Sequence, residues 1–258
     1  SSNHKLHKLS FEAIGTQWSI ETAVAVKHEI WQEIRERIDV FDHTYSRFRS
    51  DSLVAQLRSP GTYTFSHDAD RLMRFYRALY DATDGAMTPL IGDALERAGY
   101  DPDYSLSPKP QKTATLKWDD AMAWRDCVVT IKKPIVLDVG AAGKGYLVDI
   151  IAEILTSHNI DEYVIDASGD VRHRGASTEQ VGLENPFNVA EVVGIAALQN
   201  ASLCASASNR RAWGDWHHII DPRTGQPVRD VVATWVIADS TMIADGLATA
   251  LFFVPPTA

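Results

Sequence analysis

The spacing of apolar positions changes several times along this chain, and each period predicts a different element. Trp18-Ser19-Ile20-Glu21-Thr22 alternates, as a half-buried strand does. From His28 to Phe41 the apolar residues Ile30, Trp31, Ile34, Ile38 and Phe41 fall at helical spacing, and Leu72, Phe75, Tyr76, Leu79 and Tyr80 repeat it between Asp68 and Thr83. Ile135 to Val139 reads as a buried strand that runs into a glycine loop and a helix from Tyr146 to Leu155. Tyr163 to Asp166 is a further strand, and several more between Val192 and Val236 precede a closing helix from about Met242 to Phe253. Strands and helices are interspersed without a βαβ period, which predicts an α+β fold with mixed sheets and flanking helices.

The 258 residues fit one large domain. The stretch from Tyr100 to Lys112, with Pro102, Pro108 and Pro110, reads as a connection within it. Residues 1–10 are polar and basic and read as an N-terminal tail or vector-derived remnant, leaving 11–258 as the domain. Leu251 to Val254 is apolar and is followed directly by Pro255 to Ala258, so the C-terminus reads as truncated.

Charge narrows the partners. Acidic residues outnumber basic ones 34 to 25, for a net charge of −9, which leaves no basic face for nucleic acid or an anionic membrane. No apolar run reaches the ~18–20 residues of a membrane span. With no signal peptide or lipobox, the expected location is cytoplasmic, unless the N-terminus has been processed from an exported precursor. Cys127 and Cys204 are isolated, so neither a disulfide framework nor zinc spacing is present.

Three segments carry candidate chemistry. In Leu137-Asp138-Val139-Gly140-Ala141-Ala142-Gly143-Lys144-Gly145-Tyr146 a strand turns into a helix near Lys144. A helix N-terminus binds phosphate, although the same spacing also describes an ordinary glycine turn with a solvated lysine. Asp245 and Thr249 are four apart on an apolar helix, so their oxygens share a face; a magnesium ion takes such a pair, and so does simple capping. His218 opens His-Ile-Ile-Asp-Pro-Arg-Thr-Gly, a strong turn signal, and is a candidate base beside the chemically equal His217. In an alternating strand only one of the two would face a cleft.

Taken in order, these segments resemble the ApbE family, the FAD:protein FMN transferases. The likeness starts at Ile14-Gly15-Thr16 and continues through Ser46-Arg47-Phe48 with Ser52, Asp84 to Leu90, Leu137 to Asp149 and Ser168-Gly169-Asp170. It ends with the His218 block and Ala244-Asp245-Gly246-Leu247-Ala248-Thr249-Ala250-Leu251. The resemblance implies a single domain with FAD in a central cleft. It implies Mg²⁺ held by the Ala141 carbonyl, Asp245 and Thr249. Asp138 and Lys144 match FAD-contacting positions, and Ile14, Phe48, Ala86, Met87, Thr88 and Ile219 match the lining of the flavin and nucleotide pocket. His218 matches the histidine that assists transfer, with Asp245 beside the metal.

The implied reaction is Mg²⁺-dependent transfer of FMN from FAD, as substrate, to a Thr or Ser hydroxyl of an acceptor flavoprotein, with release of AMP. The alternatives are an FAD pyrophosphatase giving FMN and AMP, and a non-catalytic FAD carrier. Three positions depart from the family pattern: Ser168 replaces the first glycine of a Gly-Gly-Asp turn, Ala205-Ser206-Ala207 replaces Thr-Ser-Gly, and Arg58 replaces an asparagine.

Overall fold

A computed structural model describes residues 6–111 and 115–254. Among these, the chain runs through β1 (His7–Ala13), β2 (Thr16–Thr22), α1 (His28–Tyr45), β3 (Gly61–Thr64), α2 (Ala69–Ala82), α3 (Gly92–Arg97) and α4 (Trp118–Ala121). Next come β4 (Met122–Arg125), β5 (Val128–Ile131), α5 (Gly143–Ser157), β6 (Tyr163–Asp166), β7 (Asp170–Arg174), β8 (Glu179–Asn185), β9 (Asn188–Leu198) and β10 (Ser202–Ala207). The short strands β11 (Ala212–Trp213), β12 (Trp216–His217), β13 (Ile220–Asp221) and β14 (Gln226–Pro227) precede β15 (Ala233–Ala238) and α6 (Thr241–Ala250). The mixture is α+β, as the patterning predicts.

The chain forms two compact units. One takes residues up to 40, 142–206 and 235–248; the other takes 41–141, 207–234 and 249 onward. The first unit is built on a sheet ordered β1-β2-β6-β7-β10-β15. Alternation in β2 turns Trp18 and Ile20 inward, at 2% and 0% exposure, and pairs Ser19 with Asp166 across β6. Helix α5 is apolar almost all round and buries Leu147, Val148, Ile151 and Leu155. Each such side chain contributes roughly 1.5–3 kcal/mol of transfer free energy.

Helices α5 and α6 cap one another. Asp149 accepts from the Thr241 and Met242 N–H groups and the Ser240 hydroxyl at the start of α6, and Arg172 reaches it at 3.0 Å. In return, Asp245 of α6 accepts from the Gly145 N–H at 2.9 Å in the first turn of α5. A Cβ on Gly145 would lie 2.4 Å from the Thr241 carbonyl, so only glycine allows this approach. The β8–β9 ribbon packs Val181, Leu183 and Ala196 against Val171, Leu198 and Leu203, and leaves Phe187, Val189 and Ile195 exposed.

The second unit holds the sheet β3-β5-β4 and the amphipathic α2, whose Leu72, Met73, Tyr76 and Leu79 are buried. Leu79 and Met87 share a cluster with Ala250, flanked by Phe75, Ala141 and Phe253. Ala94, Leu95, Ala98 and Ile220 form another, flanked by Tyr100, Trp213 and Trp216.

Four expectations change. From His7 onward, the stretch read as a tail is the edge strand β1, paired with β2 along its length. Ile135 to Val139 is not a strand: the Ile135 N–H bonds to Leu57 and the Asp138 N–H to Pro89, single bonds to separate turns rather than a ladder. The closing helix ends at Ala250, with turn and bend over 251–254. His217 ends β12 and His218 lies outside any strand, so alternation does not govern the pair. Residues 1–5 of the expected tail, 112–114 of the connection and 255–258 of the expected truncated end lie outside the described residues.

Candidate active site

Within the first unit, the β1–β2 turn places Ile14 at φ +45° and Gly15 at φ +76°. A β-branched residue in the left-handed region is strained, and such strain gathers at functional positions. Lys144 lies in the first turn of α5, where its charge opposes the helix dipole. Its ammonium donates to the Ala167 carbonyl at 2.8 Å and the Ser168 carbonyl at 3.4 Å, and stands 3.4 Å from the buried Asp170 carboxylate. The lysine therefore organises the β6–β7 turn. Ser168 takes the glycine-like φ of +53° there, with its hydroxyl donating to Gln17, so the departure from Gly-Gly-Asp keeps the turn.

The buried Asp245, 6% exposed, gives one oxygen to the Gly145 N–H. Thr249 lies one turn further along α6. Among the described residues, no three His, Cys, Asp or Glu side chains are grouped to hold a metal. A carboxylate and a hydroxyl one helical turn apart are hard oxygen donors of the kind that Mg²⁺ takes. The donor chemistry fits the ion.

Within the second unit, Asp84 and Gly85 at φ +50° and +80° end α2 and set up the segment that follows. The Met87 N–H donates to the Thr83 hydroxyl and the Leu90 N–H to Thr88, which starts a 3-10 turn with Pro89. Ala86, Met87 and Thr88 are all buried. The Asp138 N–H bonds to Pro89 at 2.8 Å and so joins this segment to the glycine loop. The Asp138 carboxylate accepts from its own loop at Gly140, 2.7 Å, and from Arg47 Nε at 2.5 Å. Ser52 caps the next turn by accepting from the Ala55 N–H, and Asp51 pairs with Arg49. Arg58, at the third departure, is bound to Glu96 by two contacts of 2.6 and 3.2 Å.

Phe48 is not a bare ring. Tyr104 stacks on it, with centroids 5.3 Å apart and planes 3° off parallel, and the Arg47 guanidinium lies 4.2 Å from its centroid.

The two histidines separate clearly. His217 Nδ1 accepts from the Ile219 N–H at 3.2 Å, which leaves Nε2 to donate to the Val228 carbonyl at 2.7 Å. Both nitrogens of a neutral ring are used, and burial lowers its proton affinity. His218 is partly buried, but its Nδ1 is sealed from solvent, with no hydrogen-bond partner among the described residues. Burial first, then the Arg211 charge and the neighbouring His217 ring, lower its pKa to about 3, against the raising effects of a hydrogen bond with the Arg211 backbone and of Asp138. The 3% exposed Ile219 is held by its N–H on His217.

Asp149 and Tyr104 lie outside the set of site residues that the sequence predicts. A carboxylate inside the apolar run of α5 was a signal for Asp149, of the same kind as that for Asp245. Nothing local marked Tyr104.

A groove of about 330 Å³ lined by Arg58, Asp93, Gln111 and Pro222 holds none of the expected site residues.

The ApbE family model matches residues 14–258. The FAD:protein FMN transferase of Haemophilus influenzae is 26% identical, over 96% of this chain and 80% of its own length. The crystal structure of the ApbE protein of Thermotoga maritima aligns with a TM-score of 0.86 at 25% identity, covering 96% of this chain and 87% of that one. The flavin transferase ApbE of Vibrio cholerae shares the fold at a TM-score of 0.79 and 21% identity, with the same coverage of each chain. With a family model matched from Ile14 onward, the chain belongs to the ApbE family.

Proposed function

We propose that this chain transfers FMN from FAD to a threonine or serine hydroxyl of an acceptor flavoprotein and releases AMP. The support that carries most weight is the family match over nearly the whole chain, to relatives named FAD:protein FMN transferases. The acceptor oxygen bonds to the FMN-side phosphorus, the bond from that phosphorus to the bridging oxygen breaks, and AMP departs with the bridging oxygen.

Asp245, Thr249 and the Ala141 carbonyl are the residues that would hold Mg²⁺, which when bound neutralises charge on the pyrophosphate oxygens. His218 takes the proton of the attacking hydroxyl. In the free chain its ring is neutral at any physiological pH and its Nδ1 is unbonded. A ring of such low proton affinity is a weak base, and an anionic substrate brought beside it raises that affinity. The base is thus strengthened by the substrate it serves. Ile14, Phe48, Ala86, Met87, Thr88, Asp138, Lys144 and Ile219 are the residues assigned to FAD, and Lys144 also holds the Ser168 turn.

The test is intact-protein mass spectrometry after incubation of FAD, Mg²⁺ and a candidate acceptor with the enzyme. A gain of one FMN on the acceptor is expected, with AMP in equal amount. Free FMN and AMP with an unmodified acceptor identify a pyrophosphatase instead, and bound but uncleaved FAD identifies a carrier.

A further inference from the structure

The second unit holds a buried cation that the reaction above does not use. The Arg47 side chain is 3% exposed, and its Nε is bonded to Asp138. Nη1 and Nη2 are both sealed from solvent, with no hydrogen-bond partner among the described residues. The Glu96 carboxylate stands 3.8 Å from Nη1, beyond bonding distance, and is held by Arg58 at 2.6 Å. Buried donors left unbonded are unfavourable and uncommon in folded proteins, and each one calls for a specific reason.

The surroundings indicate what would satisfy them. The guanidinium lies 4.2 Å from the Phe48 ring centroid and 5.0 Å from that of Tyr100. Tyr104 stacks on Phe48, and Trp213 stacks on Tyr100 with centroids 5.9 Å apart. Asp138 lies beside the cation, and its charge also acts on the His218 ring, whose Nδ1 is another sealed atom without a hydrogen-bond partner among the described residues. An adjacent carboxylate and a wall of rings suit a phosphate poorly. They suit a planar ring that stacks on aromatics and offers neighbouring acceptors in its plane, because guanidinium nitrogens donate as a fork.

We propose that Arg47 recognises the flavin ring itself. Nη1 and Nη2 donate to the carbonyl and ring-nitrogen acceptors along the pyrimidine edge of the isoalloxazine, while the ring stacks within the Phe48–Tyr100–Tyr104 cluster. The inference rests on the flavin reading above and adds the residue that sets which ring is accepted. A planar ring without adjacent acceptors leaves the buried guanidinium unbonded, the form of mismatch that discriminates most strongly.

The experiment compares wild type with Arg47→Lys, which keeps a charge beside Asp138 but loses the fork. Riboflavin and FAD binding are followed by flavin fluorescence and ADP binding by calorimetry, all with Mg²⁺, together with thermal midpoints. The variant should bind riboflavin and FAD about tenfold or more weakly and ADP within twofold of wild type. Wild type should also bind riboflavin with a lower N3–H pKa than the variant does, since the guanidinium stabilises negative charge on the ring. The proposal is overturned if riboflavin binding is unchanged while FAD and ADP weaken, which would make Arg47 a phosphate ligand. It is equally overturned if all three ligands are lost along with the thermal midpoint, the mark of a purely structural arginine, or if the variant binds as wild type does. Failure of wild type to bind either flavin would instead remove the flavin reading on which this one stands.

Discussion

His217 and His218 are neighbours with the same chemistry and opposite fates. His217 closes two hydrogen bonds, to Ile219 and Val228, and its loss leaves both backbone groups without that partner. His217→Ala should therefore cost about 1–3 kcal/mol of stability, read by denaturant unfolding. His218→Ala should unfold near the wild-type midpoint yet slow single-turnover AMP release by ~10²–10⁴-fold at saturating FAD. Near-normal release by that variant would assign the base elsewhere. Acid stability follows from the same rings. Burial lowers the proton affinity of His173, His217 and His218 in the folded chain. Below the unfolded value of about 6.5 the unfolded state then carries more protons, so stability falls as pH drops. For His218 the loss continues down to about 3. Each ring adds a slope of up to about 1.4 kcal/mol per pH unit in its window. His218→Asn should flatten the slope of unfolding free energy between pH 6 and 5 by one ring's share; an unchanged slope would mean that His218 titrates normally.

At the scale of elements, the α5–α6 crossing concentrates the constraints. Gly145→Ala forces a Cβ into the Thr241 carbonyl, a backbone atom that cannot rotate away, and should cost about 2 kcal/mol or more. Asp149→Ala removes the acceptor for two α6 N–H groups and the carboxylate that pairs with Arg172, for about 3 kcal/mol. Asp245 combines a fold role with its proposed metal role, and two substitutions separate them. Asp245→Asn keeps an oxygen for the Gly145 N–H, so its melting temperature should stay close to wild type while FAD turnover is lost. Asp245→Ala should lower both. If Asp245→Asn turned over FAD normally, the carboxylate charge would not be needed and the metal assignment would fail.

At the scale of the molecule, each unit draws on three separated stretches of chain. A fragment of residues 1–141 carries β1 and β2 without their sheet partner β6, so it should show little cooperative unfolding by circular dichroism; a sharp transition would mean that the second unit folds without 207–234. Chelation offers a check on the whole enzyme. EDTA-treated protein should release no AMP from FAD, and excess Mg²⁺ should restore the rate.

Local pattern alone set the type of most elements. The 3.6 period of α1 and α2 and the alternation of β2 are properties of a single segment, since one apolar stripe or face must be buried whatever covers it. The order of the motifs, from Ile14 to Thr249, likewise carried the family. What a segment cannot specify is its partner. Ile135 to Val139 has a buried strand's apolar run and no ladder, because its N–H groups meet Leu57 and Pro89 singly. His7 to Ser10 looks like a tail and is a sheet edge, because β2 supplies the pairing. The site divides along the same line. Asp245, Thr249 and His218 stood out by residue type and spacing. That Lys144 braces the Ser168 turn, that Asp149 caps α6 and that Arg47 keeps two nitrogens unbonded depends on atoms brought from 23 to 93 positions away in the chain, or withheld. Hydrogen-bond satisfaction is a count over neighbours in space, so only the tertiary structure decided it.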